Sequence, residues 1–139
     1  MRTSRVLRDI REGRQASCVK INITHPNVVE LAGLAGASAV WLCTEHVPNN
    51  WQNIEHCIRA AKVYDMDKIA RVSKGAYSNY IKAFEADTSG IIIPHVKSAV
   101  EARRIVEQCR FNPVGKRALD GRNVDGIFCQ MPFPAHDLK

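Results

Sequence analysis

One stretch of this sequence decides its fold: Ala39-Val40-Trp41-Leu42-Cys43-Thr44-Glu45-His46-Val47-Pro48. Its first half is a short, continuously apolar run, which is typical of a strand buried in a parallel sheet. The run ends abruptly at Glu45 and His46, and a turn then leads into an amphipathic helix. Catalytic groups of β/α proteins lie on such loops, at the carboxyl ends of the strands. His46 is therefore a candidate general base, because imidazole exchanges a proton near neutral pH. An ordinary surface pair is the alternative that the local sequence leaves open.

The same strand-then-helix pattern occurs four times along the chain. The predicted strands are residues 17–24, 39–43, 67–72 and 90–94. They start about 20 to 30 residues apart, and this alternation predicts a parallel sheet with right-handed crossovers. Since a complete (β/α)8 barrel takes about 250 residues, the expected α/β fold is a partial TIM barrel of about four βα units plus an irregular tail. The alternative is a small doubly wound sheet, in which the strand order would reverse.

Helix signals accompany these strands. Asn49 or Asn50 is expected to cap the helix after the second strand, and Ser98 with Glu101 forms a capping box that opens a helix ending at Cys109. The predicted buried faces of these two helices are Ile54, Cys57, Ile58 and Ala61 in the first and Val100, Ile105 and Val106 in the second. Residues 1–139 are expected to form a single domain, with 112–139 as a loop-rich tail.

Composition restricts the class of protein. No apolar run approaches the roughly 20 residues of a membrane helix, and the basic N-terminus lacks a signal-peptide core, so a cytoplasmic protein without membrane contact is expected. The five cysteines are widely and irregularly spaced, which favours reduced thiols over disulfides or a zinc site. The net charge is +6, but the basic residues are scattered and no nucleic-acid motif accompanies them. We therefore expect no nucleic-acid partner.

Four pieces of the sequence follow one another in a recognisable order. They are Glu45-His46, the strand end Ile69-Ala70-Arg71-Val72, the block Gly90-Ile91-Ile92-Ile93-Pro94 and the segment Pro113-Val114-Gly115-Lys116-Arg117. In this order they resemble the HpcH/HpaI aldolases, which are metal-dependent (class II) pyruvate-type aldolases such as 2,4-dihydroxyhept-2-enedioate and 2-dehydro-3-deoxyglucarate aldolases. The resemblance extends over nearly the whole chain.

The resemblance implies an activity and a site. The expected enzyme is a carbon–carbon lyase that cleaves or forms a 4-hydroxy-2-keto acid through a metal-stabilised pyruvate enolate, with a keto acid and an aldehyde as partners. His46 corresponds to the acid/base of the family, Arg71 to the group that binds the pyruvyl carboxylate and keto oxygen, and Glu85 to an acid that supports the histidine. A divalent metal (magnesium, manganese or cobalt) and a homo-oligomer are also implied.

The sequence also departs from this family. Cys43 stands where relatives carry an aspartate three residues before the histidine. The two carboxylates that bind the metal lie beyond the matched region, so no metal ligand is expected within this chain. The alternative function is therefore a catalytically inactive truncated fragment, or a subunit that lacks the metal-binding carboxylates.

Overall fold

The computed structural model describes residues 3–131, and the last residues of the predicted tail lie outside this range. Four strands alternate with five helices in this range: α1 (Arg5–Arg11), β1 (Cys18–Ile21), α2 (Pro26–Leu34), β2 (Ala39–Cys43), α3 (Trp51–Val63), β3 (Asp67–Arg71), α4 (Tyr77–Glu85), β4 (Gly90–Ile92) and α5 (Ala99–Cys109). The strands form one sheet in the order β1-β2-β3-β4, and every neighbouring pair is parallel. Since the order does not reverse, the expectation of a partial barrel is confirmed and the doubly wound alternative is wrong.

The helix-covered face of the sheet forms the core. Val40 and Leu42 of β2 are fully buried against α2 and α3. A second cluster packs Ala70 of β3 against Tyr80 and Ala83 of α4. The predicted buried face of α3 is confirmed, since each of its four residues is at most 1% exposed. Asn50 caps this helix, with its side chain accepting a hydrogen bond from the backbone N–H of Asn53.

The last helix is less buried than its sequence pattern predicts. Ile105 packs against the second cluster, but Val100 and Val106 are more than half exposed, so the predicted apolar face of α5 is wrong at these two positions. β4 forms only three residue pairs with β3, and among residues 3–131 no further strand pairs with its other edge. The short edge strand therefore leaves part of the apolar side of α5 uncovered.

The helix α1 is attached to the edge of the sheet where the strands begin. Asp67, the first residue of β3, accepts hydrogen bonds from the Ser4 hydroxyl and from the Val6 backbone N–H, at 2.6 and 2.9 Å. Buried Asp9 accepts a hydrogen bond from Ser38, just before β2, at 2.7 Å. These contacts leave the opposite edge, where the strands end, free for the loops that carry the candidate site.

From the end of α5 to residue 131 the chain is irregular, as predicted, apart from a short 3-10 turn at Val124–Gly126. This part of the tail is held by a buried ion pair between Arg117 and Asp125, and the Arg117 guanidinium also stacks on the rings of Phe84 and Phe111.

Within residues 3–131, no helix has the length and the apolar character needed to span a membrane.

Candidate active site

The candidate site is centred on the carboxylate of Glu45, in the loop that follows β2. Its Oε2 lies 3.0 Å from Nε of Arg71 and 3.6 Å from Nε2 of His46, while its Oε1 lies 4.0 Å from Nε2 of His95. Arg71 is the last residue of β3, and His95 follows β4. The structure thus brings His46 and Arg71 to the same edge of the sheet, as the parallel strand order predicts. One carboxylate faces groups from three successive strand ends.

The guanidinium of Arg71 is fixed on two sides. Cys43 and Arg71 are register partners in β2 and β3, and the Cys43 sulfur accepts hydrogen bonds from Nε and Nη2 of Arg71, at 3.3 and 3.1 Å. The face of the guanidinium lies 4.9 Å from the ring centroid of Trp41, a distance at which cation–π attraction operates. The cationic group of Lys20 lies 5.3 Å from the same ring. The side chain of Arg71 is therefore pre-organised, which lowers the cost of binding an anion.

Hydrogen bonds also hold the loops of this edge. The backbone N–H of Thr44 donates to the Arg71 carbonyl at 2.8 Å, and the Asn49 side chain donates to the Cys43 carbonyl at the same distance. Lys74 donates to the carbonyl of His95 at 2.7 Å, which joins the loops after β3 and β4. The imidazoles of His46 and His95 themselves are mostly exposed, so a ligand can reach both.

Cys43 is the one thiol at this site, and its environment changes its acidity. Burial opposes ionisation, but hydrogen bonds from the His46 backbone N–H and from the Arg71 side chain outweigh burial, so the pKa of Cys43 lies below its ordinary value. The pKa of Cys57, which lies in the core without such donors, is instead raised by burial to about 11. The difference follows from the cation and the N–H groups beside Cys43.

Buried polar atoms without hydrogen-bond partners are concentrated here. In the described part of the chain there are four such side-chain atoms, and three belong to β2 or to the loops after β1 and β2: Thr24 Oγ1, Trp41 Nε1 and Glu45 Oε2. Such groups are rare in native proteins, and a functional role is one explanation for them. Their concentration in β2 and in the loops after β1 and β2 fits a site for a small polar ligand.

Glu85 lies elsewhere. It is the last residue of α4, and a helix that follows a parallel strand returns to the edge where the strands begin. Burial raises the pKa of Glu85, and the nearby carboxylate of Asp125 raises it further. The other charges that act on Glu85, Arg117 and Asp120, also belong to the tail. The structure therefore does not place Glu85 with His46 and Arg71, and Glu45 contacts both of them instead.

The metal expected from the resemblance does not fit the residues described here. Among residues 3–131, no group of three or more His, Cys, Asp or Glu side chains converges in a way that could hold a metal ion. The cluster around Glu45 offers one carboxylate, and that carboxylate already faces Arg71. We therefore assign no step of the chemistry to a metal bound by these residues.

Two features of the site were missed by sequence reasoning. The sequence presents Glu45 only as the neighbour of His46, whereas in the structure His46, Arg71 and His95 all face its carboxylate. The contact between Arg71 and Trp41 was also missed. A signal for it exists in the alternation of side chains, because residues two apart on a strand share a face and Trp41 therefore faces the same side as Cys43 and its partner Arg71.

Comparison with curated proteins supports the family resemblance. The chain is 26% identical over 110 residues to a 2-keto-3-deoxy-L-rhamnonate aldolase from Salmonella gallinarum, covering 79% of this chain and 41% of that protein. It is 30% identical over 101 residues to the 4-hydroxy-4-methyl-2-oxoglutarate aldolase tasA from Hapsidospora irregularis, covering 72% and 37%. The chain thus spans less than half the length of these relatives. No family model matches it.

Solved structures show the same fold. The chain superposes on citrate synthase SbnG with a TM-score of 0.76 and 31% identity, covering 81% of this chain and 46% of that one. An HpcH/HpaI aldolase from Desulfitobacterium hafniense gives a TM-score of 0.79 at 20% identity, with coverage of 91% and 48%. The chain is therefore an α/β protein with part of an aldolase-type barrel. In fold it resembles the HpcH/HpaI aldolases and in sequence the curated aldolases named above, which supports the resemblance found in its sequence.

Proposed function

We propose that this chain carries the pyruvate-binding half of a carbon–carbon lyase that acts on 4-hydroxy-2-keto acids. The observation that carries the proposal is the meeting of Arg71 and His46 around Glu45, at the edge where catalytic groups of β/α barrels lie. Arginine matches a carboxylate with two parallel N–H donors, and its charge persists at any working pH. The names of the curated relatives, both aldolases of keto acids, support the same class of substrate.

The residues divide the chemistry between them. Arg71 binds the carboxylate and the keto oxygen of the substrate. His46 removes the proton of the 4-hydroxyl group, the bond between C3 and C4 breaks, and an aldehyde leaves. The electron pair of that bond forms the pyruvate enolate, whose oxygen is stabilised by the positive charge of Arg71. His46 then returns the proton to C3, which gives pyruvate. Glu45 keeps Arg71 and His46 at this edge, the role that the resemblance gives to Glu85.

Oxalate, an analogue of the pyruvate enolate, provides the first test. We expect calorimetry to show oxalate binding that Arg71→Gln weakens by at least about tenfold, since it removes a charge-assisted bidentate contact. The matched control is Arg59→Gln, which changes an arginine on the exposed side of α3. Equal affinity in the wild type and Arg71→Gln would refute the anion site.

The second test measures turnover. Pyruvate release from 4-hydroxy-2-keto acids is followed with added magnesium, manganese or cobalt. His46→Ala is expected to lower the rate by about a hundredfold or more, which is typical for the loss of a general base. His56→Ala, at an exposed position of α3, serves as the control. If His46→Ala retains the wild-type rate, the proposed role of His46 fails.

A second candidate function is a half-site that binds the keto acid but does not turn it over unaided. The observation that favours it is the lack of a convergent metal-ligand set among residues 3–131. Divalent-metal titration by calorimetry separates the two candidates. Tight binding of magnesium, manganese or cobalt to this chain alone would exclude the half-site, while oxalate binding without metal binding or turnover would support it. Oligomeric state is measured in the same samples, because a homo-oligomer is also proposed for this chain.

A further inference from the structure

The contact between Cys43 and Arg71 uses one particular edge of the guanidinium. Nε and Nη2, the atoms that donate to the sulfur, form the side edge of the group. The end edge is formed by Nη1 and the second N–H of Nη2, and in the described part of the molecule Nη1 has no hydrogen bond to another side chain. A carboxylate binds arginine through two parallel N–H donors, and the end edge offers them. The sulfur thus occupies the edge that a ligand does not need.

We propose that Cys43 is the positioning residue of this anion site: its thiol holds the side edge of Arg71 so that the end edge receives a carboxylate, and its ionisation releases that carboxylate. The proposal deepens the proposed function, on whose anion site it rests. Cys43 itself is fully buried and does not touch the ligand. It acts through Arg71, and also through the backbone N–H of His46, which donates to the same sulfur at 3.3 Å.

The charges around the sulfur explain why ionisation matters. A neutral thiol beside Arg71 and Glu45 leaves one cation facing one anion. A thiolate adds a second anion to the same guanidinium, so a bound carboxylate would be repelled by two negative charges in a poorly screened site. Burial raises the pKa of Cys43, but the N–H donors lower it by more, so it lies below its ordinary value.

Other titratable groups face the cluster, and the variant Cys43→Asn separates them from the thiol. His46 and His95 approach Glu45 from the loops after β2 and β4, and Lys20 approaches Trp41 from β1. Cys43→Asn keeps all three groups. A pH effect on binding between about pH 7.5 and 9, a window that includes the ordinary pKa of a thiol, therefore belongs to Cys43 if the wild type shows it and this variant does not.

The first experiment measures oxalate affinity by calorimetry across this window. Wild-type affinity should fall by about tenfold as pH rises, the size expected for one added charge near a bound anion. Cys43→Asn keeps an acceptor without the ionisation and should show no such fall. Cys43→Asp carries the charge at every pH, so it should bind about tenfold more weakly than Cys43→Asn at pH 7.5. Flat wild-type affinity, or equal affinities of the two variants, would overturn the proposal.

The second experiment does not need a ligand. Thiolate absorbance is titrated in the wild type and in Cys43→Ser, and their difference isolates Cys43 from the other four cysteines. Arg71→Gln should raise the pKa of Cys43, because it removes two donors and a positive charge. Oxalate should raise it too, by reciprocity with the loss of affinity at high pH. Cys18→Ser, at an exposed position of β1, is the control and should leave the difference titration intact.

The two experiments distinguish failure of the proposed function from failure of the inference about Cys43. If the wild type binds no oxalate at any pH, the proposed function fails, and the ligand-releasing part of this inference fails with it. The positioning contact is then judged by the absorbance titration, where an unchanged pKa of Cys43 in Arg71→Gln would overturn it. If oxalate binds and Arg71→Gln abolishes binding, while wild-type affinity does not change with pH or Cys43→Asn and Cys43→Asp bind equally well, the proposed function stands and this inference alone is wrong.

Discussion

Arg71 and Glu45 meet across the ends of two neighbouring strands, with Nε of Arg71 3.0 Å from Oε2 of Glu45. The Nε–H bonds to the sulfur of Cys43, and Glu45 Oε2 has no hydrogen bond, so this contact is an attraction between charges. Both side chains are only 16% exposed, and water therefore screens the pair incompletely. The carboxylate holds Arg71 in place and also competes with any anionic ligand.

The first prediction follows from this competition. Glu45→Gln should bind oxalate about five- to tenfold more tightly than the wild type, since it removes one negative charge beside the guanidinium. Glu55→Gln, which changes a carboxylate of an exposed ion pair on α3, is the matched control and should leave affinity unchanged. Calorimetry measures both. Weaker oxalate binding by Glu45→Gln would show that holding Arg71 matters more than the competing charge.

Gly33 marks a close contact between α2 and the end of α3. A Cβ at this position would lie 2.4 Å from Cγ and 2.6 Å from Cβ of Tyr64. Because these atoms are close to the Tyr64 backbone, a rotation of the side chain does not relieve the clash. Gly33→Ala should therefore lower the free energy of unfolding by about 1–3 kcal/mol, as overpacking outweighs the helix propensity of alanine. Denaturant unfolding tests this. Gly90→Ala, where a Cβ meets open space, is the comparison and should cost less.

The buried ion pair of the tail should be sensitive to removal of one partner. Asp125→Asn leaves the charge of Arg117 buried without its carboxylate, and breaking such a pair costs about 3–5 kcal/mol. Glu107→Gln breaks an exposed pair with Lys116 and should cost at most about 1 kcal/mol. If urea unfolding shows that Asp125→Asn and Glu107→Gln lose equal amounts of unfolding free energy, the tail contributes little to the cooperatively unfolding unit.

Asp9 should make stability depend on acid pH. A hydrogen bond from Arg14 and, to a smaller extent, one from Ser38 lower the pKa of this carboxyl below its ordinary value. Because the folded-state pKa is the lower one, the stabilisation is present above about pH 4 and is lost as pH falls through the folded-state value. Urea unfolding between about pH 5 and 2 should show this slope in the wild type. Asp9→Asn should flatten it, and Ser38→Ala should reduce it; an unchanged slope in Asp9→Asn would contradict the assignment.

The pH dependence of stability that Glu85 contributes should have the opposite sign. Its pKa is raised by burial and then by Asp125, so its contribution is fully present below the unfolded-state pKa and is lost as pH rises through the folded-state one. Glu85→Gln should therefore stabilise the protein at neutral pH. It should leave oxalate affinity unchanged, since the neighbouring charges of Glu85 lie in the tail. A loss of oxalate affinity in Glu85→Gln would restore the role that the family resemblance implies.

The fold could be predicted because its signals are local. The apolar run from Ala39 to Cys43 coincides with β2, and the four apolar positions of α3 are all buried. Four strand–helix alternations then require parallel pairing, and the strand order without reversal follows. The prediction for α5 failed because burial depends on what the rest of the chain provides. Val100 and Val106 have the right spacing, but the short β4 does not cover them.

The site could be predicted only in part. The position of His46 and Arg71 at one edge follows from the parallel order, so the sequence is sufficient for it. The grouping of Glu45 with Arg71 and His95 depends on register and on side-chain direction across three strand ends, which no local pattern encodes. The role of Glu85 comes from the family resemblance alone, and the direction of α4 places this residue at the other edge of the sheet.

The attachment of α1 has a consequence for how such a molecule can change over evolutionary time. Asp67 and Asp9 fasten this helix to the edge where the strands begin, whereas the proposed acid–base and anion-binding groups occupy the far end of the same strands. Substitutions at the two ends share none of these contacts, and effects of distant substitutions on folding free energy add almost independently. A lineage can therefore exchange the loops that carry the candidate site while the elements that preserve foldability stay under separate selection.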